Sequence, residues 1–156
     1  MERASLGKVT VELMGVEDLD QVIEVEKLSF TNPWSRNSFF LELTTNELAT
    51  YIVAKVDGRV VGYAGMWLIV GEAHVTNVAV HPGFRKKGIG ELLMRSLMTI
   101  ARESGAKMMT LEVRKSNYIA QNLYTKLGFE PIGIRRGYYT DNNEDAVIMW
   151  TNLNEK

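Results

Sequence analysis

Apolar positions in this chain switch between a period of two and a period near 3.6, and the switches mark its elements. "KVTVELM" alternates and reads as a first strand. From Asp18 to Phe30, Leu19, Val22, Ile23, Val25 and Leu28 recur at helical spacing. "TNPW" interrupts that helix, because Pro33 disfavours helical backbone at Asn32. Ser35 is placed to cap a second helix over Arg36 to Leu43. "TYIVAKVDGRVVGYAGMWLIV" predicts a hairpin: two β-rich runs flank Asp57-Gly58, a pair suited to the positive φ angles of a type I′ turn. "EAHVTNVAV" reads as a further strand ending at His81-Pro82-Gly83.

The strongest helical stripe runs from Gly88 to Ser104, with Ile89, Leu92, Leu93, Leu97 and Ile100 expected inside and Gly105 as the stop. "KMMTLEVR" is a strand. Ser116 is expected to cap a helix from Asn117 to Leu127, which Gly128 ends. "FEPIGIRRGYY" and "EDAVIMW" form two closing strands around the polar loop "TDNNE". The order β-α-α-β-β-β-α-β-α-β-β predicts an α/β chain with one mixed sheet. The pair joined across the long helix should be parallel, and the meanders on either side antiparallel. Residues 1–7 read as a flexible tail and 8–153 as a single domain.

Composition narrows the function. With 156 residues the chain can bury one proper core. A net charge of −1 argues against a general nucleic-acid binder. There is no cysteine, which removes disulfides, thiolate metal sites and a cysteine nucleophile. His74 and His81 lack metal-type spacing, so no metal is expected. No apolar run is long enough to span a membrane, and the reading is a cytoplasmic protein.

One junction stands out against this ordinary background. "RKKGIG" joins the "NVAV" strand to the long helix. Glycines allow close backbone approach, the helix N-terminus contributes partial positive charge, and Arg85, Lys86 and Lys87 add full charges. Arg85 could grip an anion with two prongs. A pyrophosphate fits such a turn. The plainer alternative is a solvated turn with surface cations. Neither the dinucleotide-binding G-x-G-x-x-G at the N-terminal strand nor the P-loop pattern is present.

"VTNVAVHPGFRKKGIGELLM" resembles motif A of the Gcn5-related N-acetyltransferase (GNAT) family, whose Q/R-x-x-G-x-G/A signature is filled by Arg85, Gly88 and Gly90. "NYIAQNLYTKLGF" resembles that family's motif B. The resemblance spans about residues 8 to 150 and implies the acyl-CoA N-acyltransferase fold: a mixed, mostly antiparallel sheet with helices on both faces. It also implies that Arg85, Lys86, Lys87, Gly88, Ile89 and Gly90 bind the pyrophosphate of acetyl-CoA. The pantetheine arm would lie along the backbone of Val78, Ala79 and Val80, with Asn117 hydrogen-bonded to it. Four stretches, "FTNPWS", "LEVRKSN", "NLYTKLGF" and "RRGYY…EDAVIM", are similar to the bacterial ribosomal-protein-alanine N-acetyltransferases within the family. That similarity implies an acceptor, the N-terminal alanine of the eighteenth protein of the small ribosomal subunit.

The chemistry needs a group to take a proton from the attacking amine and one to give a proton to the departing thiolate. By the resemblance, Glu112 is the base. Alternation puts it with Thr110 on the face opposite Leu111 and Val113, where partial burial would raise its pKa; a solvated strand glutamate is the alternative. Tyr124 is the implied acid, or else a core tyrosine. Glu72 is a runner-up base, and His74 a lesser one. Tyr138 and Tyr139 correspond to tyrosines flanking the acceptor peptide, while Pro33 and Trp34 would form its other wall. Asp141, Glu144 and Asp145 offer either attraction for a basic peptide or a merely solvated loop. Without cysteine, transfer should be direct, in a ternary complex. Two other functions fit the same fold: a small-amine or antibiotic acetyltransferase, and a non-catalytic acetyl-CoA-binding module.

Overall fold

In the computed structural model, residues 8–153 are described. The expected tail, residues 1–7, lies outside them. β1 (Val9–Leu13) leads through a 3-10 turn at Val16–Asp18 into α1 (Leu19–Ser29), followed by α2 (Arg36–Thr45). Ser35 caps α2 as expected, its hydroxyl accepting the Ser38 N–H at 3.1 Å. β2 (Ala49–Val56) and β3 (Arg59–Ile69) form the expected hairpin. Asp57 and Gly58 have φ of 52° and 82°, and Val56 sits opposite Arg59, which is the geometry of a type I′ turn.

β4 (Glu72–Val80) precedes α3 (Ile89–Glu103), and β5 (Met108–Arg114) precedes α4 (Tyr118–Lys126). β6 (Glu130–Tyr139) and β7 (Glu144–Asn152) close the chain. The seven described strands form one sheet in the order β1-β2-β3-β4-β5-β7-β6. β4 and β5 are parallel, over Glu72↔Met108 to His74↔Thr110. The pairs β1–β2, β2–β3, β5–β7 and β6–β7 are antiparallel.

Two compact units divide the described chain: residues 8–67 with 76–97, and residues 68–75 with 98–153. In the first, Leu19, Val22 and Val25 of α1 pack with Phe39, Tyr51, Val53, Val60, Tyr63 and Ala79. The Phe39 ring is its hub, 5.1 Å from Trp34 and 5.5 Å from Tyr63 between centroids. In the second, the alternation of β5 buries Met109, Leu111 and Val113 and turns Thr110 and Glu112 to the other face. Phe129, Met149 and Leu153 are buried in the same unit.

Three local readings are corrected. Leu28 and Leu92, expected inside, are 51% and 37% exposed, and Met94, Met98 and Ala101 are buried on α3 instead. The cap of α4 is Asn117, not Ser116: Asn117 Oδ1 accepts the Ala120 N–H at 3.1 Å. The Ser116 N–H is taken by Glu144 Oε2 at 2.7 Å.

Candidate active site

The glycine-rich turn is built from the end of β4 onward. The His81 N–H bonds the Val61 carbonyl at 2.7 Å, and His81 Nδ1 accepts the Gly83 N–H at 3.0 Å. A 3-10 turn at Pro82–Phe84 follows. The backbone then takes two left-handed steps, Lys86 at φ 64° and Gly88 at φ 83°. Such steps turn successive amides toward one side, the concavity in which anions sit. The Leu92 N–H reaches the Gly88 carbonyl at 3.0 Å, so the amides of Ile89 and Gly90 lie ahead of the first intrahelical bond. These amides, with Lys86 and Lys87, suit a pyrophosphate.

Arg85 Nε donates to the Val80 carbonyl at 2.8 Å and its Nη2 to the Ser29 hydroxyl at 3.1 Å. Two of its five N–H donors thus hold the turn against β4 and α1, which leaves three for an anion. Val78, Ala79 and Val80 lie on β4 beyond the ladder it forms with β5. Pro33 is exposed and Trp34 half-buried on the loop between α1 and α2.

In the second unit, side chains from three strands meet at Glu112. Its Oε1 lies 3.2 Å from His74 Nε2 and its Oε2 3.1 Å from Arg135 Nε, with the Glu112 side chain only 9% exposed. His74 Nδ1 is 3.0 Å from the Thr110 hydroxyl. That bond fixes the ring with Nε2 facing the carboxylate. The expected rise in the Glu112 pKa is therefore a correction: the pKa is lowered, first by the His74 hydrogen bond. Burial pushes upward but is outweighed by that bond together with the His74 and Arg135 charges.

Tyr138 and Tyr139 stack edge to face, centroids 5.1 Å apart. Burial raises both their pKa values, and the Glu112 charge adds to each; Tyr139 is pushed up to about 12. The Arg114 guanidinium lies 4.1 Å above the Tyr139 ring. Arg114 also bonds Asp141 at 2.9 Å and Glu144 at 3.1 Å, while Asp145 accepts the Gly137 N–H. The acidic loop thus holds itself together and secures the hairpin under the tyrosines. Tyr124 is 9% exposed on α4, its ring 5.8 Å from Phe129. Burial pushes its pKa up to about 12. Asn117 commits Oδ1 to the helix cap, which leaves Nδ2 for any ligand.

Glu72 is exposed at the start of β4. Arg135 and Arg114 were not anticipated, and His74 was undervalued. The signal for His74 lay in the parallel β4–β5 pairing, which sets it opposite Thr110. Among the described residues, no group of three His, Cys, Asp or Glu side chains could hold a metal ion. No described helix is long and apolar enough to cross a membrane.

Comparison with known proteins places this geometry in a lineage. The model of the acetyltransferase (GNAT) family matches residues 19–129. A Bacillus subtilis protein, provisionally named a ribosomal protein bS18-alanine N-acetyltransferase, is 47% identical over 148 residues, covering 95% of this chain and 98% of that one. The ribosomal protein bS18-alanine N-acetyltransferase of Salmonella typhimurium is 34% identical over 144 residues, covering 90% and 95%. The crystal structure of the ribosomal-protein-S18-alanine N-acetyltransferase from Escherichia coli superposes with a TM-score of 0.86 at 31% identity, over 94% of each chain. With the glycine-rich turn before α3, the carboxylate on β5 and this likeness along nearly its whole length, the chain belongs to the GNAT family and is an N-acetyltransferase that uses acetyl-CoA.

Proposed function

We propose that this protein is a cytoplasmic N-terminal alanine acetyltransferase. It acetylates the α-amine of a small-subunit ribosomal protein directly, in a ternary complex. The observation that carries this reading is Glu112, kept ionised by His74 and Arg135 within the field of Tyr138 and Tyr139. The names of the relatives supply the acceptor.

Acetyl-CoA supplies the acyl group as a thioester. Lys86, Lys87 and the amides of Ile89 and Gly90 would hold its pyrophosphate. The Val78–Val80 backbone and Asn117 Nδ2 would bind the pantetheine. Pro33, Trp34, Tyr138 and Tyr139 would line the acceptor peptide.

Glu112 takes the proton of the incoming amine, directly or through one water. A carboxylate whose pKa is lowered is a weak base. It suits an α-amine with pKa near 8 better than a lysine near 10.4. His74 and Arg135, bonded to Glu112, hold the carboxylate ionised and oriented until it takes that proton. As the C–N bond forms and the C–S bond breaks, charge grows on sulfur. Tyr124 keeps its O–H at neutral pH, because its pKa is pushed up to about 12. So weak an acid acts chiefly as a hydrogen-bond donor to the departing thiolate, since a free thiol has a pKa of only about 8.5.

The test is an acceptor panel: acetyl-CoA with an Ala-starting hexapeptide, an N-blocked hexapeptide carrying an internal Lys, a polyamine and an aminoglycoside. Mass spectrometry should find acetyl on the Ala peptide alone. Acetylation of a polyamine or aminoglycoside, with the Ala peptide unmodified, would replace this reading with a small-amine enzyme.

A further inference from the structure

Glu26 lies on the face of α1 that buries Leu19, Val22 and Val25, and it is itself only 2% exposed. A carboxyl in such a place is costly unless its oxygens are bonded. Both are. Oε2 accepts the backbone N–H of Trp34 at 2.8 Å, and Oε1 accepts the hydroxyl of Tyr63. Tyr63 is fully buried on β3. Glu26 thus joins the Trp34 amide to the Tyr63 hydroxyl.

Trp34 belongs to the loop read as a wall for the acceptor, and Tyr63 to β3, in the core that α1 packs against. A leucine at position 26 would fill the same core and hold neither. Phe39, packed against both Trp34 and Tyr63, keeps water from competing for these bonds.

We propose that Glu26 is a positioning residue for acceptor recognition: through Trp34 it sets the Pro33–Trp34 wall, and through Tyr63 it ties that wall to β3. The proposal rests on the reading of Pro33 and Trp34 as the acceptor's wall.

The experiment compares Glu26→Ala, Glu26→Gln, Tyr63→Phe and Trp34→Ala in the full chain. It measures kcat, the KM of the Ala-starting peptide, the KM of acetyl-CoA, and hydrogen exchange at the Trp34 amide. Glu26→Ala should raise the peptide KM on the order of tenfold, the scale of one charge-assisted hydrogen bond. The acetyl-CoA KM should hold, and the Trp34 amide should lose its protection. Glu26→Gln keeps one acceptor where the carboxylate had two, so with its oxygen on the Trp34 amide it should keep that amide protected and raise the peptide KM less than Glu26→Ala does. A residue serving the core alone would lower the melting temperature and leave the peptide KM unmoved, which overturns the proposal. If Glu26→Ala does not fold, Tyr63→Phe carries the test: it cuts the link to β3, and an unchanged peptide KM overturns the proposal equally. An unchanged peptide KM in Trp34→Ala removes the wall and the proposal with it. Should the enzyme acetylate a polyamine instead of the peptide, the proposed function fails. The same KM comparison with the polyamine then decides the role of Glu26 separately.

Discussion

Replacing Gly88 by alanine isolates the turn that is proposed to hold the pyrophosphate. Gly88 has φ of +83°, where a β-carbon meets its own backbone. Holding an L-residue in the left-handed region costs about 1–2 kcal/mol, or roughly 2–8 °C in Tm for a chain of this size. The Gly88 carbonyl also accepts the Leu92 N–H. If the backbone rotates to relieve the strain, the amides of Ile89 and Gly90 therefore turn with it. The KM for acetyl-CoA should then rise on the order of tenfold, with the peptide KM little changed. Two companions separate strain from anion binding. Gly105→Ala introduces the same kind of strain, φ +93° with open space around the new carbon, and should lower Tm alone. Lys86→Gly relieves the left-handed residue at φ 64° and should raise Tm slightly. It should also raise the acetyl-CoA KM, more at low salt than at high salt because an exposed cation is screened. Thermal melts and steady-state kinetics at saturating peptide read all three. A Gly88→Ala enzyme that melts lower yet binds acetyl-CoA as before would refute the assignment of this turn.

Three further outcomes follow from the site. Tyr124→Phe should lower kcat by about 100-fold with both KM values nearly unchanged, and it should fold normally because the ring keeps its contact with Phe129. Asn117→Ala loses the cap of α4, worth about 1 kcal/mol, so Tm should drop while the acetyl-CoA KM rises. The folded-state pKa of Glu112 is lowered from 4.5, so its contribution to stability is present above the unfolded value and is lost as pH falls through the folded one. Urea midpoints from pH 6 down to pH 3 should therefore fall more steeply for the wild type than for Glu112→Gln; parallel curves would show that the pairing with His74 and Arg135 contributes nothing to folding.

Much of this was legible in the residues, and the exceptions have physical reasons. Asp57-Gly58 announced the hairpin because few pairs tolerate two positive φ angles in sequence. The parallel β4–β5 pair followed from a helix between two strands. Alternation along β5 put Glu112 on the right face, but it could not show that His74 and Arg135 arrive from β4 and β6. Those partners reverse its pKa, and they depend on strand register. The cap of α4 was missed by one residue because Ser116 and Asn117 are both competent caps, and in the fold it is the Asn117 side chain that takes the Ala120 amide. The anchoring of Arg85 on Val80 and Ser29 was not legible, because nothing local shows that β4 and α1 come within its reach. Glu26 did leave a trace. It falls four residues after Val22 and three after Ile23, on the stripe that α1 buries, where a lone carboxylate needs partners.

The measurement that tests the account most directly is single-turnover acetylation of the Ala-starting hexapeptide by the wild type and by Glu112→Gln, followed by mass spectrometry across pH 6–9. The account predicts a wild-type product carrying one acetyl group on the α-amine, and a rate lower by roughly 10²–10⁴-fold in Glu112→Gln. It also predicts that the deficit shrinks as pH approaches the amine's own pKa of about 8 and deprotonation no longer needs a base. A Glu112→Gln enzyme as fast as the wild type at pH 6 would contradict it and take the base away from Glu112.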